Sequence, residues 1–181
     1  MTIREATADD AAAIARVHVD SWRSTYEGIV PADYLENLSY DDHEGFWQAL
    51  LARYGETNFV YVAENARGEV VGFASGGPER DGGEDYDAEV YTLYVLDDHQ
   101  RKGFGKQLTH AVTSRLKAGG FKSVVLWVLE DNPACGFYES LGGKRVKQED
   151  ANIGGADLSG IAFAWDDIDA LVAGSKSSFT M

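Results

Sequence analysis

The stretch "HQRKGFGKQL", His99 to Leu108, sets Arg101, Lys102 and Lys106 around Gly103 and Gly105, with no acid among them. The run "AEVYTLYVL" before it reads as a strand, and "GKQLTHAVTSRLKAGG" after it reads as a helix. Glycines at such a junction let the backbone approach a ligand closely and take positive φ. The first helical turn then offers N–H groups without a partner inside the helix, and the helix dipole favours negative charge beside them. This is the chemistry of an anion site, phosphate above all. The rest of the chain sharpens the contrast. Its formal net charge is −14, yet His99 to Lys122 holds six Lys/Arg and no Asp or Glu.

Known phosphate patterns narrow the choice. A P-loop places Ser or Thr after its Gly-Lys, whereas Gln107 follows Lys106 here. A dinucleotide fingerprint comes closer, since Gly103-x-Gly105 follows a strand and Glu130 ends the next one. Against it, Leu108 stands where the third glycine belongs, and Asp97 and Asp98 separate strand from loop. A nicotinamide-dinucleotide oxidoreductase is the alternative on that reading. The four histidines lack metal-ligand spacing, so no metal is assigned.

"LYVLDDHQRKGFGKQL" resembles the acyl-CoA-binding signature of the GNAT (GCN5-related N-acetyltransferase) superfamily, Gln/Arg-x-x-Gly-x-Gly/Ala after a strand, with Gln100, Gly103 and Gly105 at its fixed positions. "LWVLEDNPACGFYESLGG" is similar to the second signature of that family: a strand, an Asn, and a short helix bearing Phe-Tyr before a Gly-containing turn. The order of strands and helices agrees over residues 2–166. The resemblance implies an α/β (α+β) fold, a mixed, mostly antiparallel central sheet of about six or seven strands flanked by helices. It implies an N-acetyltransferase with acetyl-CoA as the acetyl donor and no metal.

Residue by residue, the resemblance lays the coenzyme pyrophosphate on the backbone of Arg101, Lys102, Gly103, Phe104, Gly105 and Lys106, after Gln100. Leu93, Tyr94 and Val95 would pair their backbone with the pantetheine arm. Tyr138 matches the tyrosine that serves as general acid near the sulfur, with packing of its helix on the sheet as the alternative role. Asn132 matches the Asn that contacts the coenzyme or orders that helix. The two are one step closer than the family's commoner spacing, which turns Tyr138 by about 100° on a regular helix. Glu89 stands where many members carry an acidic base, often acting through water; the alternative is a strand-end charge facing solvent. Cys135 reads as a small packing residue.

On the acceptor side, "SWRSTYEGIVPADYL" places Trp22 and Tyr26, then Tyr34, with Trp47 further on. This stretch is similar to some acetyltransferases, polyamine acetyltransferases among them. Aromatics with acids suit a cationic amine, and "ERDGGEDYD" adds Glu84, Asp85 and Asp87 as cation attractors. The expected acceptor is a small-molecule primary amine, polyamine-like. A peptide N-terminal acetyltransferase and a non-catalytic acyl-CoA sensor are the alternatives, and a homodimer is an expectation from the family.

These residues need elements to hold them. "TIREA" reads as a strand and "TADDAAAIARVHVDSW" as a helix with Ile14, Val17 and Trp22 at helical spacing. "VPADYLENLS" starts a short helix at Pro31, and "DDHEGFWQALLARYG" reads as a helix with Phe46, Leu50 and Leu51 inward. "NFVYVAE" and "VVGFASGGP" form a hairpin through Gly68. Leu108, Val112 and Leu116 are the inner stripe of the helix behind the glycine loop, "SVVLWVLE" is a strand covered on both faces, and residues 144–167 close the sheet as a hairpin.

Length and composition set the bounds: 181 residues read as a single domain, 1–173, with 174–181 as a disordered tail. The acidity argues against nucleic acid, whose affinity rests on phosphate neutralisation. No apolar run approaches a membrane span, the N-terminus lacks a signal-like apolar region, and a single cysteine fits a reducing compartment. The expected location is the cytoplasm.

Overall fold

A computed structural model describes residues 1–82 and 84–176. The strands are β1 (Thr2–Glu5), β2 (Phe59–Glu64), β3 (Val70–Pro78), β4 (Ala88–Val95), β5 (Val124–Leu129), β6 (Lys144–Ile153) and β7 (Ala156–Trp165). The α-helices are α1 (Ala11–Thr25), α2 (Ala32–Glu36), α3 (Tyr40–Arg53), α4 (Phe104–Ala118), α5 (Cys135–Ser140) and α6 (Ile168–Ser175). The strands form one seven-stranded sheet in the order β1-β2-β3-β4-β5-β7-β6. Every neighbouring pair is antiparallel except β4 and β5.

Each face of the sheet carries its own core. On one face Leu108, Val112 and Leu116 of α4 are fully buried with Phe163, and Ile168 and Leu171 of α6 join them. On the other, Ile14 and Val17 of α1 and Trp47 of α3 pack over Val60, Val62 and Phe73. Gly68 turns the β2–β3 hairpin at φ +78°.

Helix α3 turns Leu50 and Leu51 inward as expected, but buries Trp47 in place of Phe46. Trp47 is 1% exposed, while Phe46 is 55% exposed. Trp47, Leu50, Leu51 and Tyr54 all pack on the α1-side core, a fuller stripe at i, i+3, i+4 and i+7 than any containing Phe46. A further helix, α6, takes in Gly174 and Ser175, two residues expected in the tail. Ser175 is buried and its hydroxyl donates to the Val172 carbonyl; residues 177–181 lie outside the described residues.

Two irregularities shape the middle of the sheet. In the β3–β4 ladder Ser75 faces Thr92 while Gly76 faces Val90, so Tyr91 is an extra, unpaired residue. The bulge inverts the alternation of faces: Val90, Leu93 and Val95 share the α4-side core, and Tyr94 turns to the other. On its other edge β4 pairs with β5 only through Ala88–Val124, Glu89–Val125 and Val90–Leu126. Beyond Val90 the two parallel strands part.

The start of that short ladder is clipped by Asp87. Its carboxylate accepts the Lys122 N–H at 2.9 Å, the Ser123 N–H at 2.8 Å and the Ser123 hydroxyl at 2.9 Å. Two of the three "ERDGGEDYD" acids expected to attract a cation thus have structural partners, since Asp85 pairs with Lys147 at 2.9 Å. Burial pushes the Asp87 carboxyl up, but these donors outweigh it and hold it below the ordinary carboxylate value. Asp10 is also held low, chiefly by its hydrogen bonds from Arg4. Folded values below unfolded ones give stability that is complete above the unfolded pKa of about 4 and is lost as pH falls through the folded value. Thermal unfolding from pH 7 to pH 2.5 should show a midpoint that drops below about pH 4. The drop should be shallower in Asp10→Asn and Asp87→Asn, which start from lower midpoints.

Candidate active site

The glycine loop joins the open end of β4 to α4. A short 3-10 turn, Asp97–His99, leaves the strand, and Gly103 caps α4 at φ +88°, a conformation that favours glycine. Arg101 also takes positive φ, at 57°. The loop is tied back on itself: Gln100 Nε2 donates to the Val95 carbonyl at 3.1 Å and Lys102 Nζ to the Asp98 carbonyl at 2.7 Å. Phe104 is buried in the α4-side core and pins the first turn. No side chain caps α4, so its leading N–H groups face outward beside Arg101, Lys102 and Lys106. The predicted anion-binding residues are together here.

Where β4 and β5 part lies a cavity of about 40 Å³. Its walls include Leu93 and Tyr94 of β4, Trp127 and Val128 of β5, and Tyr26, Asn132 and Tyr138. Leu93, Tyr94 and Val95 pair with Ala74, Phe73 and Gly72 on one edge, and their register with β5 has already ended. Their other edge is open to an extended, amide-bearing chain. The slot and the glycine loop are therefore continuous along β4.

Long-range hydrogen bonds fix the slot's polar groups. Asn132 Nδ2 donates to the Tyr26 hydroxyl at 3.0 Å, while Asn132 Oδ1 accepts the Ala134 N–H at 2.8 Å. Asn132 thus orders the turn into α5 and holds Tyr26 at once. Trp22 Nε1 donates to the Tyr94 hydroxyl at 3.1 Å, and Trp22 packs on Tyr26 with ring centroids 4.6 Å apart. Since each phenol oxygen already accepts a bond, its own O–H is left to donate. Tyr138 reaches the slot despite the shortened spacing, because the residues from Asn132 to Ala134 are a turn and α5 begins only at Cys135. It also packs against Phe163, with ring centroids 5.7 Å apart. Burial pushes its phenol well above the ordinary tyrosine value, so at neutral pH it stays protonated. Burial likewise pushes up the Cys135 thiol, which lies against the Leu129 and Glu130 carbonyls.

His18 is the residue that sequence reasoning missed. It stacks on Tyr94 at 5.1 Å and its Nδ1 accepts the Trp47 indole N–H at 3.2 Å. Burial, reinforced by His43, brings it down to about 4, so the ring is neutral at physiological pH. It stands behind Tyr94 rather than among the residues that line the slot, and only its helical spacing to Trp22 on α1 pointed to it.

Glu89 does not line the slot. It is 2% exposed rather than facing solvent, and Arg80 covers it: Nη2 donates at 2.6 Å, and Nε and the backbone N–H each at 3.2 Å. Among the described residues no group of His, Cys, Asp and Glu is arranged to hold a metal, and no helix is long and apolar enough to cross a membrane.

Comparison with known proteins agrees with this geometry. Residues 14–143 match the model of the Acetyltransferase (GNAT) family. The chain is 40% identical over 171 residues to the uncharacterized N-acetyltransferase YuaI of Bacillus subtilis (strain 168), covering 94% of this chain and 96% of that one. It is 29% identical over 144 residues to the L-methionine sulfoximine/L-methionine sulfone acetyltransferase of Pseudomonas paraeruginosa (strain DSM 24068 / PA7), covering 78% of each. Among solved structures, yncA from Salmonella typhimurium, described with its cofactor acetyl-CoA, superposes with a TM-score of 0.69 at 24% identity, over 93% of this chain and 94% of that one. That last likeness speaks for the fold. With the family match and the YuaI identity over nearly its whole length, the chain belongs to the acetyltransferase (GNAT) family and is an N-acetyltransferase.

Proposed function

We propose that the chain moves the acetyl group of acetyl-CoA to a primary amine of a small molecule by direct attack. The observation that carries this reading is the continuity of an anion-binding helix start with an open strand edge and a slot holding a buried phenol. The loop backbone and Arg101, Lys102 and Lys106 would take the pyrophosphate, and the free edge of Leu93–Val95 the pantetheine amides. The amine lone pair attacks the thioester carbonyl carbon and the carbon–sulfur bond breaks. Tyr138 gives its proton to the departing thiolate, and the proton shed by the amine passes to water and restores the phenol. Amide and free coenzyme A leave.

Two features favour a small acceptor over a peptide terminus. The tip of the β6–β7 hairpin rests on α2, where a Cβ at Gly154 would stand 2.7 Å from Tyr34 Cβ. Ile153 and Leu158 pack there with Tyr26, Val30 and Leu35, which roofs the slot. The walls also weigh against the polyamine-like acceptor: every lining residue is uncharged, and Tyr26, Tyr94 and Tyr138 offer donors. Such walls suit an amine whose neighbouring group accepts hydrogen bonds, in keeping with the relative named for L-methionine derivatives. In a thiol-release assay L-methionine sulfone should exceed spermidine by about tenfold or more in kcat/KM. The reverse order would restore the polyamine reading.

The first test is calorimetric titration with acetyl-CoA, with NADH as the control. Acetyl-CoA alone should bind. No binding by folded protein would overturn the assignment, and binding without turnover of any amine would leave an acyl-CoA sensor.

A further inference from the structure

Beside the slot, and lining it only through Tyr91, sits a cluster that the transferase reading leaves unused. Glu89 is buried at the second residue of β4, and Arg80, whose side chain is 61% exposed, lies over it as a cationic cap. The Arg80 guanidinium also stands 4.6 Å from the ring centroid of Tyr91, the bulge residue. The Tyr91 hydroxyl donates to the Pro78 carbonyl and lies 3.2 Å from Asn58 Oδ1. Gly77 makes room for it, since a Cβ there would come within 2.6 Å of that hydroxyl. On the neighbouring Gly76 a Cβ would meet Val112 of α4 at 2.8 Å. The last residue of β4 paired with β5, Val90, lies between Glu89 and Tyr91. Carboxylate, guanidinium and phenol thus grip both sides of the point where the strands part.

We propose that Arg80 and Glu89 are positioning residues: with Tyr91 they clamp the bulge in β4 and so set the width of the slot, and Glu89 takes no proton from the acceptor. Both oxygens of its carboxylate are engaged by Arg80, and it stands outside the slot walls. A strand that loses this clamp can let Tyr91 return to the ladder, which flips every later side chain of β4 to the opposite face. Leu93 and Val95 would then leave the core, and the open edge would lose its register.

The inference rests on the transferase reading, and removing the two charges singly and together tests it separately. Arg80→Met leaves a buried carboxylate uncapped and should lower kcat/KM for acetyl-CoA at least tenfold, mainly through KM. Glu89→Gln keeps the shape without the charge and should cost less than about fivefold, with both limbs of the pH–rate profile unmoved. The double variant should recover to within about threefold of Glu89→Gln, because the uncapped charge is gone. A hundredfold fall in kcat for Glu89→Gln, with loss of the acidic limb and no recovery in the double variant, would make Glu89 the base and overturn the proposal. Should Arg80→Met fail to fold, the Glu89→Gln profile and the double variant decide alone. If the wild type turns over no amine, the transferase reading fails first. Acetyl-CoA titration of the same variants then tests the clamp, which predicts weaker binding in Arg80→Met and recovery in the double variant; unchanged binding in Arg80→Met would refute it.

Discussion

Tyr138→Phe should lower kcat by about a hundredfold or more while leaving acetyl-CoA affinity within about twofold, the signature of a lost proton donor. The substitution removes one oxygen from a buried ring that keeps its packing against Phe163, so the slot retains its shape. Burial keeps the phenol protonated at neutral pH, so its proton is in place when the departing thiolate forms beside it. Stopped-flow release of thiol under saturating acetyl-CoA would read the step. A rate within about threefold of the wild type would move the acid role elsewhere, and Tyr138 would be a packing residue alone.

The second large effect belongs to Gly103. At φ +88° any L side chain is strained by roughly 1–2 kcal/mol, and a β-branched one by more. Gly103→Val should therefore shift the start of α4 and raise KM for acetyl-CoA at least tenfold, with kcat at saturation close to the wild type. The neighbouring Gly105 is a control with a different physical basis: a Cβ there meets only the Phe137 ring at 3.8 Å, an ordinary contact. Gly105→Ala should fold normally, so any loss of binding it causes reports the closeness of the coenzyme rather than backbone strain.

Much of the fold was legible because its signals are local. The stripe of Leu108, Val112 and Leu116, the Gly68 hairpin and the glycine loop each depend on residues a few positions apart, and each stands where the pattern put it. On α3, Leu50 and Leu51 stand as expected, but Phe46 was misread because it is adjacent to Trp47, and only the packing partners Phe73 and Val60 decide between them. The site divides the same way. Gln100, Gly103 and Asn132 were legible as a signature, but the bonds that orient the slot join Trp22 to Tyr94 and Tyr26 to Asn132, 72 and 106 residues apart. No periodicity carries such information. Arg80 shows the limit most clearly: nothing in the acidic run around it points to Glu89 as its partner.

The parting of β4 from β5 has one more consequence. An unpaired strand edge at the rim of a sheet invites addition of a foreign strand, and natural proteins guard against it with charge, proline or a bulge. Here the open edge of Leu93–Val95 lies in the interior of the sheet order, between β3 and β5, with the β6–β7 hairpin roofing its mouth. A foreign strand could reach it only by entering between β4 and β5, not by adding to a rim of the sheet. The chain thereby keeps strand-edge backbone groups away from the rims of the sheet, and protection from edge-to-edge pairing and access for a ligand come from the same placement.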